Sequence, residues 1–121
     1  MGEATQHHAI NFVEFATTDI EKTKQVYGKA FGWTFQDWGP DYISFSKAGA
    51  GVDGGFRKGD TGAEFGPGAP LVVLYSRDLK ATEDAVVAAG GTIVVPPFEF
   101  PGGRRFHFFD GGGNVLAVWS E

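Results

Sequence analysis

Short runs of alternating apolar and polar residues are broken by longer segments in which apolar residues recur every three or four positions, and the whole succession occurs twice. Ala9 to Phe15 alternates and reads as a strand, with Ile10, Phe12 and Glu14 on one face and Asn11, Val13 and Phe15 on the other. Thr18 followed three residues later by Glu21 makes a capping box. Ile20, Thr23, Val26, Tyr27 and Ala30 then recur at helical spacing until Gly32, a C-cap. Trp33 to Trp38, Tyr42 to Lys47 and Val52 to Phe56 follow as three short strands, and residues 57 to 70 are turn formers that read as a linker. The second round runs from a strand at Leu71 to Tyr75, through the N-cap Asp78, to a helix whose face is Leu79, Thr82, Ala85, Val86 and Ala89 and which ends at Gly90 and Gly91. A strand from Thr92 to Val95 and a loop from Pro96 to Gly103 complete the pattern up to a last pair of strands.

That last pair is the strongest signal. Arg104 to Phe109 and Val115 to Trp119 are joined by Asp110 to Asn114, whose three glycines permit the positive φ angles of a tight hairpin. If Asp110 pairs with Asn114, Phe109 falls opposite Val115, His107 opposite Ala117 and Arg105 opposite Trp119. One face of the hairpin then carries Arg105, His107, Phe109, Val115, Ala117 and Trp119.

The two rounds match at an offset of 59 residues, which sets Phe12 against Leu71, Phe15 against Leu74, Asp19 against Asp78, Thr23 against Thr82 and Gly32 against Gly91. The chain is therefore expected to be an α+β protein built as a tandem βαβββ repeat, one domain over residues 1–121. Module 1 occupies about 9–56, a linker 57–70, and module 2 about 71–119. One helix on one four-stranded sheet is marginal alone, so the modules must share a core, and a pseudo-two-fold arrangement with a curved mixed sheet and a cleft between the halves follows.

Composition narrows the chemistry. With 121 residues, 42% hydrophobic, the chain can bury a real core, and no apolar run approaches the ~20 residues of a transmembrane helix. The first eight residues lack the features of a signal peptide, so a cytoplasmic protein without a membrane partner is expected. There is no cysteine, which excludes disulfides, thiolate nucleophiles and sulfur-ligated zinc. The net charge of −5 with scattered Lys and Arg argues against nucleic acid and favours a cationic ligand. Gly49 to Gly54 matches G-x-G-x-x-G, but Gly55 to Asp60 cannot open the helix that would hold a pyrophosphate, so the motif reads as a turn. His7 and His8 are adjacent and read as solvated residues ahead of the first strand rather than as a metal pair.

The segments Thr18 to Trp33, Ser76 to Gly91 and Phe109 to Leu116 resemble the vicinal oxygen chelate superfamily, which contains glyoxalase I, extradiol dioxygenases, fosfomycin-resistance proteins and bleomycin-binding proteins. The resemblance covers Ala9 to Trp119 and is nearest to glyoxalase-like proteins related to lactoylglutathione lyase. It implies the paired βαβββ fold and a homodimer in which the halves can be exchanged between chains. It also implies a divalent ion held by His, Gln or Glu from the first and last strands of each half. Those positions fall on Phe12, Leu71 and Ala117, with the fourth near Gly54, and none of these side chains has a donor atom. No metal and no other cofactor is therefore expected.

Alternation then lists what remains beside the vacated positions: Ile10, Glu14, Val73, Tyr75, Arg105, His107, Phe109 and Trp119, with Tyr42, Ser44 and Phe56 from the first half. Aromatic walls with a few polar groups are the make-up of a small-molecule site for an aromatic or cationic ligand. Candidate ligand-binding residues are Phe12, Glu14, Tyr42, Ser44, Leu71, Val73, Tyr75, Arg105, His107, Ala117 and Trp119. His107 with Glu14 is also the candidate catalytic pair, an acid and a base working near neutral pH. Against that reading, His107 is a hydrogen-bonded strand histidine and Glu14 pairs with Arg105. Three functions stay open: metal-independent small-molecule binding, a glyoxalase-like lyase, isomerase or dioxygenase using His107 and Glu14 or an unusual metal site, and an interaction module with pairing sheet edges.

Overall fold

A computed structural model describes residues 6–62 and 68–121. The first half comprises β1 (Phe12–Thr17), α1 (Ile20–Phe31), β2 (Phe35–Asp37), β3 (Tyr42–Phe45), α2 (Lys47–Ala50) and β4 (Asp53–Lys58). The second comprises β5 (Val73–Tyr75), α3 (Leu79–Ala89), β6 (Thr92–Phe100), β7 (Gly103–Phe109) and β8 (Val115–Ser120). Two four-stranded mixed sheets result, ordered β1-β4-β3-β2 and β5-β8-β7-β6. In each the first strand of the half runs parallel to the last, and the rest is antiparallel. The repeat at offset 59 is thus an architectural repeat.

It extends to single hydroxyls. Asp19 caps α1 by accepting from Lys22 N at 3.0 Å, and Asp78 caps α3 by accepting from Ala81 N at 3.1 Å. Thr17 and Thr23 share a 2.7 Å hydroxyl hydrogen bond, mirrored by Ser76 and Thr82 at 2.7 Å. The cap expected at Thr18 therefore moves one residue on. The Thr18 hydroxyl is turned to the carbonyl of Gly112, and a carboxylate at Asp19 meets the helix N-terminus, where negative charge is favoured. Gly32 and Gly90 close the two helices with φ of 73° and 104°.

Three expected elements change. The strand expected over Tyr42 to Lys47 ends at Phe45, where Ser46 caps the single turn of α2 by accepting from Ala48 N, and Gly51 (φ 85°) closes it. The G-x-G-x-x-G stretch is consumed by that turn and by β4. The loop expected over Pro96 to Gly103 is instead the continuation of β6, which runs through both prolines to Phe100. An edge strand tolerates residues without N–H groups, and the register slips between Val95 and Phe98 absorb them. At the end of the first half β4 runs on to Lys58, so residues 57 and 58 leave the expected linker.

The β7–β8 hairpin has the expected register, with Phe109 against Val115, His107 against Ala117 and Arg105 against Trp119. Its other face, Phe106, Phe108, Leu116 and Val118, is buried in a core shared with Phe15, Ile43, Phe45 and Phe56 of the first sheet. Tyr27 of α1 joins the two, its ring 5.1 Å from Phe56 and 6.2 Å from Phe108. Tyr27 thus packs on the apolar face of each sheet, and the opposite, outward faces carry Phe12 and Glu14 in the first sheet and Arg105 and His107 in the second.

Candidate functional site

The candidate residues divide between the two outward faces. On the first, β-register builds rows across the sheet: Phe12 beside Asp53, Glu14 beside Gly55 and Ser44, and Arg57 beside Tyr42. Gly55 decides what happens there. A Cβ at that position would strike the Tyr42 hydroxyl and lie 2.7 Å from its Cζ, so the missing side chain is what lets the Tyr42 ring cross the sheet. The phenol reaches Glu14 and donates a 2.9 Å hydrogen bond to its Oε1, while Arg57 Nε stands 3.4 Å from Oε2. Burial first, then the bond to the carboxylate, pushes the Tyr42 pKa up to about 12.

Beside this pair is a cavity of about 800 Å³ lined by Phe12, Phe35, Trp38, Tyr42 and Phe45, with Thr34, Gln36, Ser44, Ser46 and Asp53 as polar groups. Trp38 is largely exposed, and its indole N–H donates to Ser44 Oγ at 2.9 Å, which fixes the ring over the mouth.

On the second face one row runs Phe98, Arg105, Trp119, Tyr75 and the next runs Val95, His107, Ala117, Val73. The Arg105 guanidinium carbon stands 5.3 Å from the centre of the Phe98 ring and 5.2 Å from that of Phe100. His107 is buried, its ring 5.8 Å from Phe98, and burial together with the charge of Arg105 holds its pKa below the ordinary imidazole value. Tyr75 stands edge-on to Trp119 at 5.2 Å and donates to Glu121 at 3.1 Å.

The structure therefore brings together Phe12, Glu14, Tyr42 and Ser44 on one face, and Val73, Tyr75, Arg105, His107, Ala117 and Trp119 on the other. Within one chain it does not bring Glu14 to His107 or to Arg105; Glu14 is engaged by Tyr42 and Arg57 instead. Leu71 lies just ahead of β5, Ile10 is exposed ahead of β1, and Phe56 is fully buried in the core rather than in a pocket. A second cavity of about 570 Å³ lies on the inner side between the halves, against Phe31, Trp33, Val72 and Leu74. Phe35, Gln36, Trp38, Asp53, Phe98 and Phe100 escaped the sequence reading. Alternation from Trp33 would have placed Gln36 and Trp38 on one face, whereas Phe98 and Phe100 were lost with the misread loop.

The ion implied by the family does not fit. Ala117 pairs with Val73, Val73 matches Glu14 at offset 59, and Glu14 pairs with Gly55, so the first-half counterpart of Ala117 is Gly55, one residue beyond the expected Gly54. Gly54 faces inward, against Phe45 and Val13. Phe12, Leu71, Ala117 and Gly55 offer no donor, and the space over Gly55 holds the Tyr42 ring. Among the described residues no three His, Asp or Glu side chains converge, and no helix is long and apolar enough to cross a membrane.

Two βαβββ units with aromatic, partly polar outer faces define a glyoxalase-type fold. The model of the Glyoxalase/Bleomycin resistance protein/Dioxygenase superfamily matches residues 9–118, and the chain belongs to that superfamily. It is 28% identical over 122 residues to a Mycobacterium bovis protein named "Putative glyoxylase CFP32", covering 90% of this chain but 44% of that protein, so it spans less than half the length of this relative. A glyoxalase-related enzyme from Fulvimarina pelagi superposes with a TM-score of 0.77 at 19% identity, covering 95% of this chain and 89% of its own. The fosfomycin resistance protein FosX of Listeria monocytogenes superposes with a TM-score of 0.77 at 14% identity, covering 96% and 95%.

Proposed function

We propose that the protein binds an aromatic small molecule without the help of a metal ion, in the cavity walled by Phe12, Phe35, Trp38, Tyr42 and Phe45. The observation that supports this reading is the cavity itself: about 800 Å³, the size range of small-ligand sites, with rings on its walls and Gln36, Ser44 and Asp53 to orient a guest. Trp38 gives the test its signal. A fluorescence and calorimetric titration with quinoline, naphthol and other flat aromatics should show saturable quenching, and Trp38→Ala should weaken binding about tenfold or more, the cost of a lost stacking ring. Heat from none of the compounds would sink the reading.

The working unit in this proposal is a homodimer. Tyr75 is 53% exposed and Val73 40% exposed on the second outward face, and a partner's first face would cover them. Such an arrangement would set Glu14 of one copy toward His107 of the other, the condition for the acid–base alternative. Sedimentation at micromolar concentration should give twice the chain mass; a monomer would remove both the dimer and that alternative.

A further inference from the structure

The geometry points to a second recognition element: Arg105, held between the Phe98 and Phe100 rings, receives a planar oxyanion, a carboxylate of a small ligand whose apolar body lies along Trp119 and Tyr75. It goes beyond the small-molecule reading, because Arg105, Trp119 and Tyr75 lie on the second outward face and the cavity of Phe12 and Trp38 lies on the first.

Three observations converge. Phe98 and Phe100 both flank the guanidinium within 5.3 Å, which fixes its plane and lowers the entropy lost on binding. Its Nε is buried and donates to no acceptor among the described residues. A buried N–H left unmade costs free energy, so the site gains when a ligand brings oxygen atoms to this group. The carboxylates that might have neutralised Arg105 are engaged elsewhere: Glu14 by Tyr42 and Arg57, and Glu121 by Tyr75. A fork of N–H groups in a fixed plane matches the two oxygens of a carboxylate better than any single-point acceptor.

The surroundings select further. Trp119 stands beside Arg105 in register and touches both Tyr75 and Phe100 edge-on, so the surface next to the cation is aromatic. His107, one row away, has its pKa lowered by burial and by the charge of Arg105, so the positive charge in these two rows is centred on Arg105. One negative group on a flat apolar body answers both features.

The experiment compares benzoate and indole-3-acetate with their uncharged amides, by calorimetry and tryptophan quenching, on the wild type and on Arg105→Met and Arg105→Lys. Each carboxylate should bind about tenfold or more tightly than its amide, the worth of a charge-assisted pair. Arg105→Met should erase that preference with the thermal midpoint kept, and Arg105→Lys should restore only part of it. If neutral aromatics bind but no carboxylate outdoes its amide, this inference fails while the aromatic pocket stands. If nothing binds, both fail. If Arg105→Met changes the sedimenting mass and carboxylates gain nothing, the acceptor is a protein carboxylate, and the inference is overturned.

Discussion

The Tyr27 hydroxyl donates a 2.8 Å hydrogen bond to Asp110 Oδ2, 83 residues further along the chain, and both residues are fully buried. Asp110 is the hub of the hairpin turn: Oδ1 accepts from Gly112 N at 2.7 Å and Asn114 N at 3.0 Å, and Oδ2 also accepts from Asn114 Nδ2 at 3.1 Å. Asn114 Nδ2 in turn reaches the Ala16 carbonyl at 2.9 Å. Burial, and then the neighbouring carboxylate, hold the Tyr27 pKa well above the usual phenol value, so the donor proton stays in place. Tyr27→Phe should cost about 1.5–3 kcal/mol in urea unfolding, the range for a hydrogen bond to a charged group. A loss below half a kcal/mol would mean that the bond is not formed in solution.

The Tyr42 and Glu14 pair makes an alkaline prediction. A phenol whose folded pKa is raised binds more protons folded than unfolded between the two values, so its stabilisation is present below pH 10 and is lost as pH climbs toward about 12. Glu14→Gln and Gly55→Ala should each lower the Tyr42 pKa in an absorbance titration at the phenolate band, the first by removing the charge and the second by displacing the ring. An unchanged titration in both variants would refute the arrangement.

His107 makes the acid counterpart. Its folded pKa is lowered, so below the ordinary value of about 6.5 the unfolded chain binds the extra proton first and stability falls with falling pH. Below the folded pKa the penalty stops growing. His107→Gln should flatten the stability profile between pH 6.5 and 5, measured by chemical denaturation at fixed ionic strength. A variant as acid-sensitive as the wild type would assign the fall to other groups.

Gly112 tests close packing. A Cβ there would strike Thr17 Oγ1 and stand 2.9 Å from Thr23 Oγ1, two groups that are already bonded to each other and fully buried. Gly112→Ala should destabilise by about 1–3 kcal/mol, typical of an overpacked site. Thermal melts should show the loss, and a neutral result would mean that the turn has room to move.

Divalent ions give the last prediction. Zinc, nickel or manganese added to dialysed protein should leave the melting midpoint in place, because a stoichiometric site would raise it by mass action. One ion bound per chain in calorimetry would show that other ligands have replaced the vacated positions.

The hairpin is legible residue by residue because turn chemistry and alternation agree there: the glycines fix the loop, and a slip of one residue would turn Arg105 into the core and Phe106 out of it. The N-cap was missed by one residue because Thr18 and Asp19 are both good caps and local preference cannot choose between them. The repeat could have chosen, since Asp19 matches Asp78. β6 was hidden by Pro96 and Pro97, which end a central strand but not an edge strand with bulges. The division of the candidate residues between two outward faces was illegible, because it depends on Tyr27 touching both sheets, a contact that no local pattern encodes.

The turn at Asp110 to Asn114 also bears on the order of assembly. Gly112 accepts from Thr18 N at 2.8 Å, 94 residues away, and Asn114 ties down Ala16 across 98. On a ribosome the first helix would emerge early and wait for its buried seat until nearly all of these residues had been made. Contacts of such sequence separation slow folding, so the first half, although Tyr27, Trp33 and Phe56 already pack on one another, completes its core only once Phe106 and Phe108 of the last hairpin are present.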